Sequence, residues 1–188
     1  MFRPAPLLLA LIATTTMGAA PPGETDGRST AATAGADHSL PQSGDLSGLL
    51  LALHNRERAR VGVTPLEWDA GLARSAAEHG AELVRSGQIT PSPLETRPLQ
   101  GENLWVGRHG AHSLDQAVAG WAAEKSLFRP GRFPDVSTTG RWRDVAHYTQ
   151  MIWPGTSRVG CAVVRGSAQD VLVCYYAPGG NVVGHLML

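Results

Sequence analysis

The chain has 188 residues, and its 16 basic residues balance its 16 acidic residues, so the formal net charge is zero. A neutral chain without a basic block is not typical of proteins that bind nucleic acid or anionic membrane surfaces. The residues that follow the N-terminal segments described below have the length of one ordinary domain.

The N-terminus has the pattern of a secretory signal. Arg3 supplies a positive charge, the next 17 residues carry none, Leu7 to Ile12 are apolar, and Met17 to Ala20 include small residues. This pattern predicts a signal peptide over 1–20. Its apolar stretch is too short to span a bilayer, which takes about 20 residues. We therefore expect a secreted protein, extracellular or periplasmic, without a stable membrane span.

Residues 21–48 are rich in Gly, Pro, Ser, Thr and Ala. Such a segment has too little apolar surface to offset the entropy lost on ordering. The sequence therefore predicts a flexible linker over 21–48, followed by a single domain over 49–188.

The first two helices are predicted from apolar residues at helical spacing. The first spans 48–60 and is ended by Gly62, while Asp69 is a suitable N-cap for the second, which ends at Ser86 and Gly87. The face of the second helix that we expect to be buried contains Leu72, Ala73, Ala76, Ala77, Gly80 and Leu83.

Two further helices are predicted from their capping residues. Ser113 and Gln116 form a capping box that opens a third helix running through Lys125, and Asp144 is expected to cap a short fourth helix over 145–152. Irregular segments are expected at 90–98, which contains three prolines, and at 128–143.

The two cysteines lie in a predicted β-hairpin. Residues 159–165 and 171–176 are both rich in β-forming residues, and a hairpin folded symmetrically between them places Cys161 opposite Cys174. In a secreted chain this placement predicts a disulfide, because Cα atoms in such a pair can lie about 4.5 Å apart. Two buried free thiols are the alternative. Helices followed by a late antiparallel hairpin indicate an α+β fold.

Five segments, taken in order, resemble the motifs of the CAP superfamily, which comprises cysteine-rich secretory, antigen 5 and pathogenesis-related 1 proteins. They are the His-Asn-x-x-Arg opening at 54–58 with Pro-Leu-x-Trp-Asp at 65–69, Gly-Glu-Asn-Leu at 101–104, Trp-x-x-Glu at 121–124, His-Tyr-Thr-Gln-Met-Ile-Trp at 147–153, and Cys-Tyr-Tyr-Ala-Pro-Gly-Gly-Asn at 174–181. The resemblance covers nearly all of 49–184. It implies a three-layer α-β-α sandwich with a central antiparallel sheet.

The resemblance also implies a cleft with two histidines and two glutamates that can bind a divalent metal such as zinc. Three positions carry over: Glu102, Glu124 and His147. The fourth, a histidine shortly before Gly-Glu-Asn, is absent, since 90–100 contains none. Zinc prefers three or four ligands, so the loss should weaken any metal site held by His147, Glu102 and Glu124. Hydrogen bonding among these residues is the structural alternative.

Other residues are also candidate components of the site. Replacement metal ligands could come from Glu95, His109 or His112, whereas His79 is expected on the polar side of its helix. Among the tryptophans, we expect Trp68, Trp121 and Trp153 in the core and consider Trp105 and Trp142 the better candidates for ligand contact.

Three functions remain open. The first is a non-enzymatic binding module that holds a lipid or sterol in its cleft. We expect this module to be a monomer. The second is a peptidase or esterase in the cleft, either metal-assisted through a bound water or using His147 as a general base oriented by Glu124, although no nucleophile or zinc-protease motif is present. The third is an extracellular scaffold that binds a protein partner through its loops.

Overall fold

The computed structural model describes residues 43–188, with side chains from Leu46 onward. The predicted signal peptide and the part of the linker before Ser43 lie outside these residues. The first helix begins at Ser43, five residues earlier than the sequence predicted. Leu46 packs against the core one turn before Leu49 and Leu50, so the apolar stripe of the helix starts earlier than Gly48.

The four α-helices alternate along the chain with the first four strands, and the last two strands follow. The α-helices are α1 (Ser43–Arg60), α2 (Ala70–Ser86), α3 (Leu114–Ala123) and α4 (Ala146–Met151). Short 3-10 turns cover Leu94–Thr96, Glu124–Ser126 and Trp142–Val145. Within residues 43–188, no helix has the length and apolar character needed to cross a membrane.

Six strands form two sheets. They are β1 (Glu67–Trp68), β2 (Gly101–Arg108), β3 (Gly131–Arg132), β4 (Arg158–Arg165), β5 (Gln169–Ala177) and β6 (Leu186–Met187). The larger sheet has the order β1-β4-β5-β2, antiparallel except for the β1–β4 pair, and β3 pairs with β6. The sequence predicts neither β2 nor β3, and β3 lies in the segment that was expected to be irregular.

The disulfide hairpin is confirmed. Cys161 pairs with Cys174 in the register of β4 and β5, their Cα atoms are 4.1 Å apart, and they form a disulfide. Both side chains are buried. The bond therefore joins the two central strands of the larger sheet inside the domain.

The side chains of β5 alternate between two layers of helix. Val171, Val173 and Tyr175 join the cluster that packs on α2. The intervening Leu172, Cys174 and Tyr176 join the larger cluster, which also contains buried residues of α1, α3 and α4. Alternation along a strand sends successive side chains to opposite faces. The result is the α-β-α sandwich that the family resemblance implied.

The predicted caps were right at two helices and wrong at one. The Asp69 carboxylate accepts hydrogen bonds from the backbone N–H groups of Gly71 and Leu72 at the start of α2. Ser113 and Gln116 form the expected capping box at α3. Asp144, however, lies inside a 3-10 turn and does not cap α4.

Candidate functional site

Glu124 and His147 form the centre of the candidate site. Glu124 follows the last residue of α3, and its Oε1 lies 2.6 Å from His147 Nδ1. Its Oε2 accepts the backbone N–H groups of His147 at 2.9 Å and of Tyr148 at 3.0 Å. These N–H groups belong to the first turn of α4, where no preceding carbonyl is available to them. Glu124 therefore caps α4 from another helix and also orients the imidazole.

The imidazole of His147 is fixed on its face as well as on its edge. It lies nearly parallel to the indole of Trp121, with ring centroids 5.9 Å apart and an angle of 12°. Because a carboxylate only accepts hydrogen bonds, Nδ1 is the donor to Glu124. Nε2 has no hydrogen-bond partner among the described residues, and 37% of the side chain is exposed. The pair therefore presents one imidazole nitrogen toward solvent.

A buried hydrogen-bonded chain supports His147 from below. The Asn103 amide donates to the His147 carbonyl at 3.1 Å and to the Tyr176 hydroxyl at 3.0 Å. Tyr176 in turn donates to His54 Nε2 at 2.7 Å, and His54 Nδ1 donates to the Leu50 carbonyl at 2.8 Å. Burial lowers the pKa of His54 to about 4 and raises the pKa of Tyr176 well above its usual value. These hydrogen-bonded side chains are therefore uncharged, and their role is structural.

Glu102 lies on the other face of the sheet, in a separate polar cluster. Its Oε2 accepts hydrogen bonds from the hydroxyl of Ser92 and from the Ser92 backbone N–H at 3.1 Å. Arg97 Nε lies 3.7 Å from the same oxygen. Tyr175 donates to the Ser92 hydroxyl at 3.0 Å. Glu102 thus fastens the loop at 92–100 to the sheet, and only 3% of its side chain is exposed.

The structure therefore does not bring Glu102 together with Glu124 and His147. No group of three His, Cys, Asp or Glu side chains in residues 43–188 could hold a metal ion. Both oxygens of Glu124 are engaged by hydrogen-bond donors, which leaves one imidazole nitrogen where zinc requires three or four ligands. The residues present do not fit a zinc ion at this site.

None of the replacement ligands considered from the sequence lies beside Glu102. Glu95 is exposed on a 3-10 turn. His109 follows the far end of β2, seven residues and about 23 Å along the strand from Glu102, and it bonds Asp170 at 2.8 Å. His112 makes an edge contact with Trp105, with ring centroids 5.5 Å apart.

His79 is the residue that the sequence analysis misplaced. It faces the sheet and not the polar side of α2, because it lies nearly parallel to the Tyr175 ring with centroids 6.4 Å apart. Its Nε2 is 3.8 Å from Glu102 Oε2, and this nitrogen is buried without a hydrogen-bond partner. Its spacing from Ala76 and Leu83, three and four residues away, was the signal that could have placed it on the inner face.

The core prediction is confirmed for two of the tryptophans. Trp121 and Trp153 are buried in the core, and Trp68 is partly buried against it. Trp105 and Trp142 are also partly buried against the core, but both keep some exposed surface.

The fold, the disulfide hairpin and the Glu124–His147 pair together define a CAP-type α-β-α sandwich. The family model described as the cysteine-rich secretory protein family matches residues 51–176. The chain belongs to this family.

Its relatives come from plants, fungi and other sources. Pathogenesis-related protein 1B of Nicotiana tabacum is 36% identical over 135 residues, which are 71% of this chain and 76% of that protein. Secreted protein RBT4 of Candida albicans is 32% identical over 174 residues, covering 87% of this chain and 45% of that protein.

Solved structures share the same fold. Na-ASP-1 superposes with a TM-score of 0.63 and 28% identity, over 74% of this chain and 40% of that one. NaASP2, solved with Zn²⁺, has a TM-score of 0.63 and 22% identity, over 74% and 83% of the two chains. At that identity the second comparison supports the fold alone.

Proposed function

We propose that this chain is a secreted, non-enzymatic binding module that recognises a lipid, a sterol or an extracellular protein through its exposed loops. Membership of a family of secretory proteins and the internal disulfide both support an extracellular location. The loop at 92–100, which Glu102 fastens to the sheet, is the recognition element in this proposal.

Leu99 is the observation that carries the proposal. Its side chain is 89% exposed, and its φ of 62° lies in the left-handed region that a branched side chain rarely adopts. Two hydrogen bonds hold this conformation, from the Gln100 N–H to the Arg97 carbonyl and from the Gly179 N–H to the Leu99 carbonyl. Both the backbone conformation and the exposure of Leu99 are unfavourable. Strain of this kind is typical of functional positions.

A second exposed leucine lies in the same loop. Leu94 is 68% exposed on the 3-10 turn that precedes Leu99. Arg97 lies between the two and stiffens the loop, because its guanidinium donates to the carbonyls of Ser92 at 3.2 Å and Gln100 at 2.8 Å. A rigid loop that displays two leucines loses little conformational entropy when an apolar partner covers it.

The site geometry favours binding over catalysis. Glu124 and His147 have the arrangement of a general base and its orienting group. However, no Ser, Thr or Cys in the described part of the chain bonds His147 Nε2, and both cysteines form the disulfide.

A Leu99→Gly variant tests the proposal directly. Glycine adopts positive φ readily, so the turn should persist while the apolar side chain is lost. Wild-type protein, Leu99→Gly and a control, Val106→Ser on β2, would be titrated with a fluorescent sterol, and solvent extracts would be searched for co-purified lipid. We expect saturable sterol binding that weakens by at least about tenfold in Leu99→Gly, as loss of a buried leucine contact would cause, and stays unchanged in Val106→Ser.

The same variants separate the two classes of partner. No co-purified lipid and no saturable sterol binding would eliminate the lipid form of the proposal. A host protein that is identified by mass spectrometry with wild type and Val106→Ser, but is lost with Leu99→Gly, would support the protein form. Equal behaviour of all three proteins in every assay would contradict the proposal as a whole.

A further inference from the structure

A surface cavity lies outside the Glu124–His147 pair and outside the loop at 92–100. It has a volume of about 440 Å³ and is lined by the segment from Gly140 to Asp144. The cavity is open to solvent and is formed by five consecutive residues, so a ligand would contact the chain on one side. The lining contains two arginines, one aspartate and the indole of Trp142, so its chemistry is cationic and aromatic.

The charges in the cavity do not cancel. Arg141 is paired, since its Nη2 lies 3.0 Å from Asp144 Oδ2 and its Nε donates to the same oxygen at 3.1 Å. Thr139 also donates to this carboxylate at 2.7 Å. These hydrogen bonds, from Thr139 first and then from Arg141, lower the pKa of Asp144 and keep it ionised. Arg143 has no carboxylate partner among the described residues, so one positive charge remains unbalanced.

Arg143 is also held in a defined place. The centre of its guanidinium lies 4.8 Å from the centroid of the Trp142 ring. A cation over an indole face is attracted by the quadrupole of the ring. The indole itself is fixed by an edge contact with Phe133, with ring centroids 5.3 Å apart. The guanidinium is therefore oriented while its N–H donors stay available.

We propose that this cavity binds a small organic anion, with a phosphate or carboxylate group on Arg143 and an apolar or aromatic body against Trp142. A guanidinium fork matches the geometry of two oxygens of either group. The part of the indole that Arg143 and the core leave exposed offers an apolar surface for the attached body. Arg141 stays paired with Asp144, so Arg143 alone supplies the unbalanced positive charge.

Phenyl phosphate, inorganic phosphate and benzyl alcohol are the probes that test this site. Each would be titrated into the purified chain by calorimetry and by following the indole N–H resonance of Trp142. We expect saturable binding of phenyl phosphate, weaker binding of inorganic phosphate because the aromatic body is missing, and the weakest binding of benzyl alcohol because the charge is missing. Equal affinity for phenyl phosphate and benzyl alcohol would overturn the proposal.

Arg143→Gln removes the unbalanced charge and keeps a polar side chain, although a shorter one. Arg74→Gln is the matched control, since Arg74 is exposed on α2 and has no ion-pair partner in residues 43–188. Phenyl phosphate binding should weaken by at least about tenfold in Arg143→Gln, as expected for a charged hydrogen-bond donor, and should not change in Arg74→Gln. Equal effects of both substitutions, or no saturable binding to the wild type, would overturn the site.

Vesicles distinguish the source of the anion. Vesicles that contain phosphatidic acid present the same phosphate group on a membrane, whereas phenyl phosphate presents it in solution. Binding to both that is lost in Arg143→Gln supports one anion site that accepts either source. Binding to vesicles without binding to phenyl phosphate would overturn the assignment to a small organic anion.

Discussion

Glu102 and Asn103 are neighbours in the chain but serve opposite faces of the sheet. Glu102 pairs with Tyr175 in the register of β2 and β5, and its carboxylate holds Ser92 on the α2 side. Asn103 pairs with Cys174, and its amide supports the His147 carbonyl on the other side. This alternation divides the glutamates and the histidine that the sequence analysis had placed in one cleft.

Glu102→Gln should loosen the loop at 92–100 and leave His147 undisturbed. The substitution replaces the carboxylate, whose Oε2 accepts both the hydroxyl and the N–H of Ser92, with a weaker, uncharged acceptor. NMR should show shifted amide resonances for residues 92–100 and unchanged ring resonances for His147. A large shift of the His147 ring would place Glu102 in the same cleft and contradict the structure.

Glu124→Gln should destabilise the domain by about 1–3 kcal/mol. When the single oxygen of the neutral amide accepts both N–H groups at the start of α4, its NH2 group faces the His147 ring, so the hydrogen bond from Nδ1–H is lost. Urea unfolding measures the change. Glu82→Gln is the control, because Glu82 is exposed and pairs with Arg85 alone, and surface changes of this kind lie within about 0.5 kcal/mol. Equal stability of the two variants would argue against the capping role.

His54 should make the domain less stable in acid. Burial lowers its pKa from 6.5 to about 4, so between these values the unfolded chain binds a proton that the folded chain does not. Stability therefore rises with pH across this window, and the favourable contribution is lost as pH falls from 6.5 toward 4. The expected loss is about 3 kcal/mol. In urea unfolding, His54→Gln should lack this part of the pH dependence; an equally steep fall would contradict the assignment.

Replacing both cysteines by alanine should cost about 3 kcal/mol of unfolding free energy. The disulfide closes a segment with a sequence separation of 13 residues, and cross-links of that length restrict the unfolded chain by this amount. Urea unfolding of Cys161→Ala/Cys174→Ala measures the loss, and adding reductant should affect the wild type alone. A double variant as stable as the wild type would contradict a structural role for the bond.

Local patterns predicted the four helices and the hairpin of β4 and β5, whereas the three-layer arrangement was implied by the family resemblance. The symmetry of the hairpin gave the Cys161–Cys174 register because a short turn fixes which residues face each other. Asp69 and Ser113 were found as caps because capping depends on a few consecutive residues. Asp144 was wrongly predicted to cap α4. Its carboxylate instead accepts hydrogen bonds from Thr139 and Arg141, which are both close to it in sequence.

The site depended on information that local patterns do not carry. The family motifs identified Glu124 and His147, and the structure joins them across 23 residues of sequence. The face of the sheet on which the Glu102 side chain lies depends on the register between β2 and β5. No sequence motif specifies that register. His79 was missed because its partners, Tyr175 and Glu102, come from two distant strands. The strain at Leu99 depends on a hydrogen bond from Gly179, 80 residues later.

Zinc titration of the tag-free domain tests the separation of Glu102 from His147 most directly. Calorimetry would be carried out on the wild type, Glu102→Gln and His147→Ala at neutral pH. The structure predicts no tight, stoichiometric binding, since a single free imidazole nitrogen gives at most weak affinity. It also predicts that Glu102→Gln leaves any weak signal unchanged. One zinc per chain, bound tightly and lost in both variants, would show that Glu102 and His147 share one site and would contradict the account.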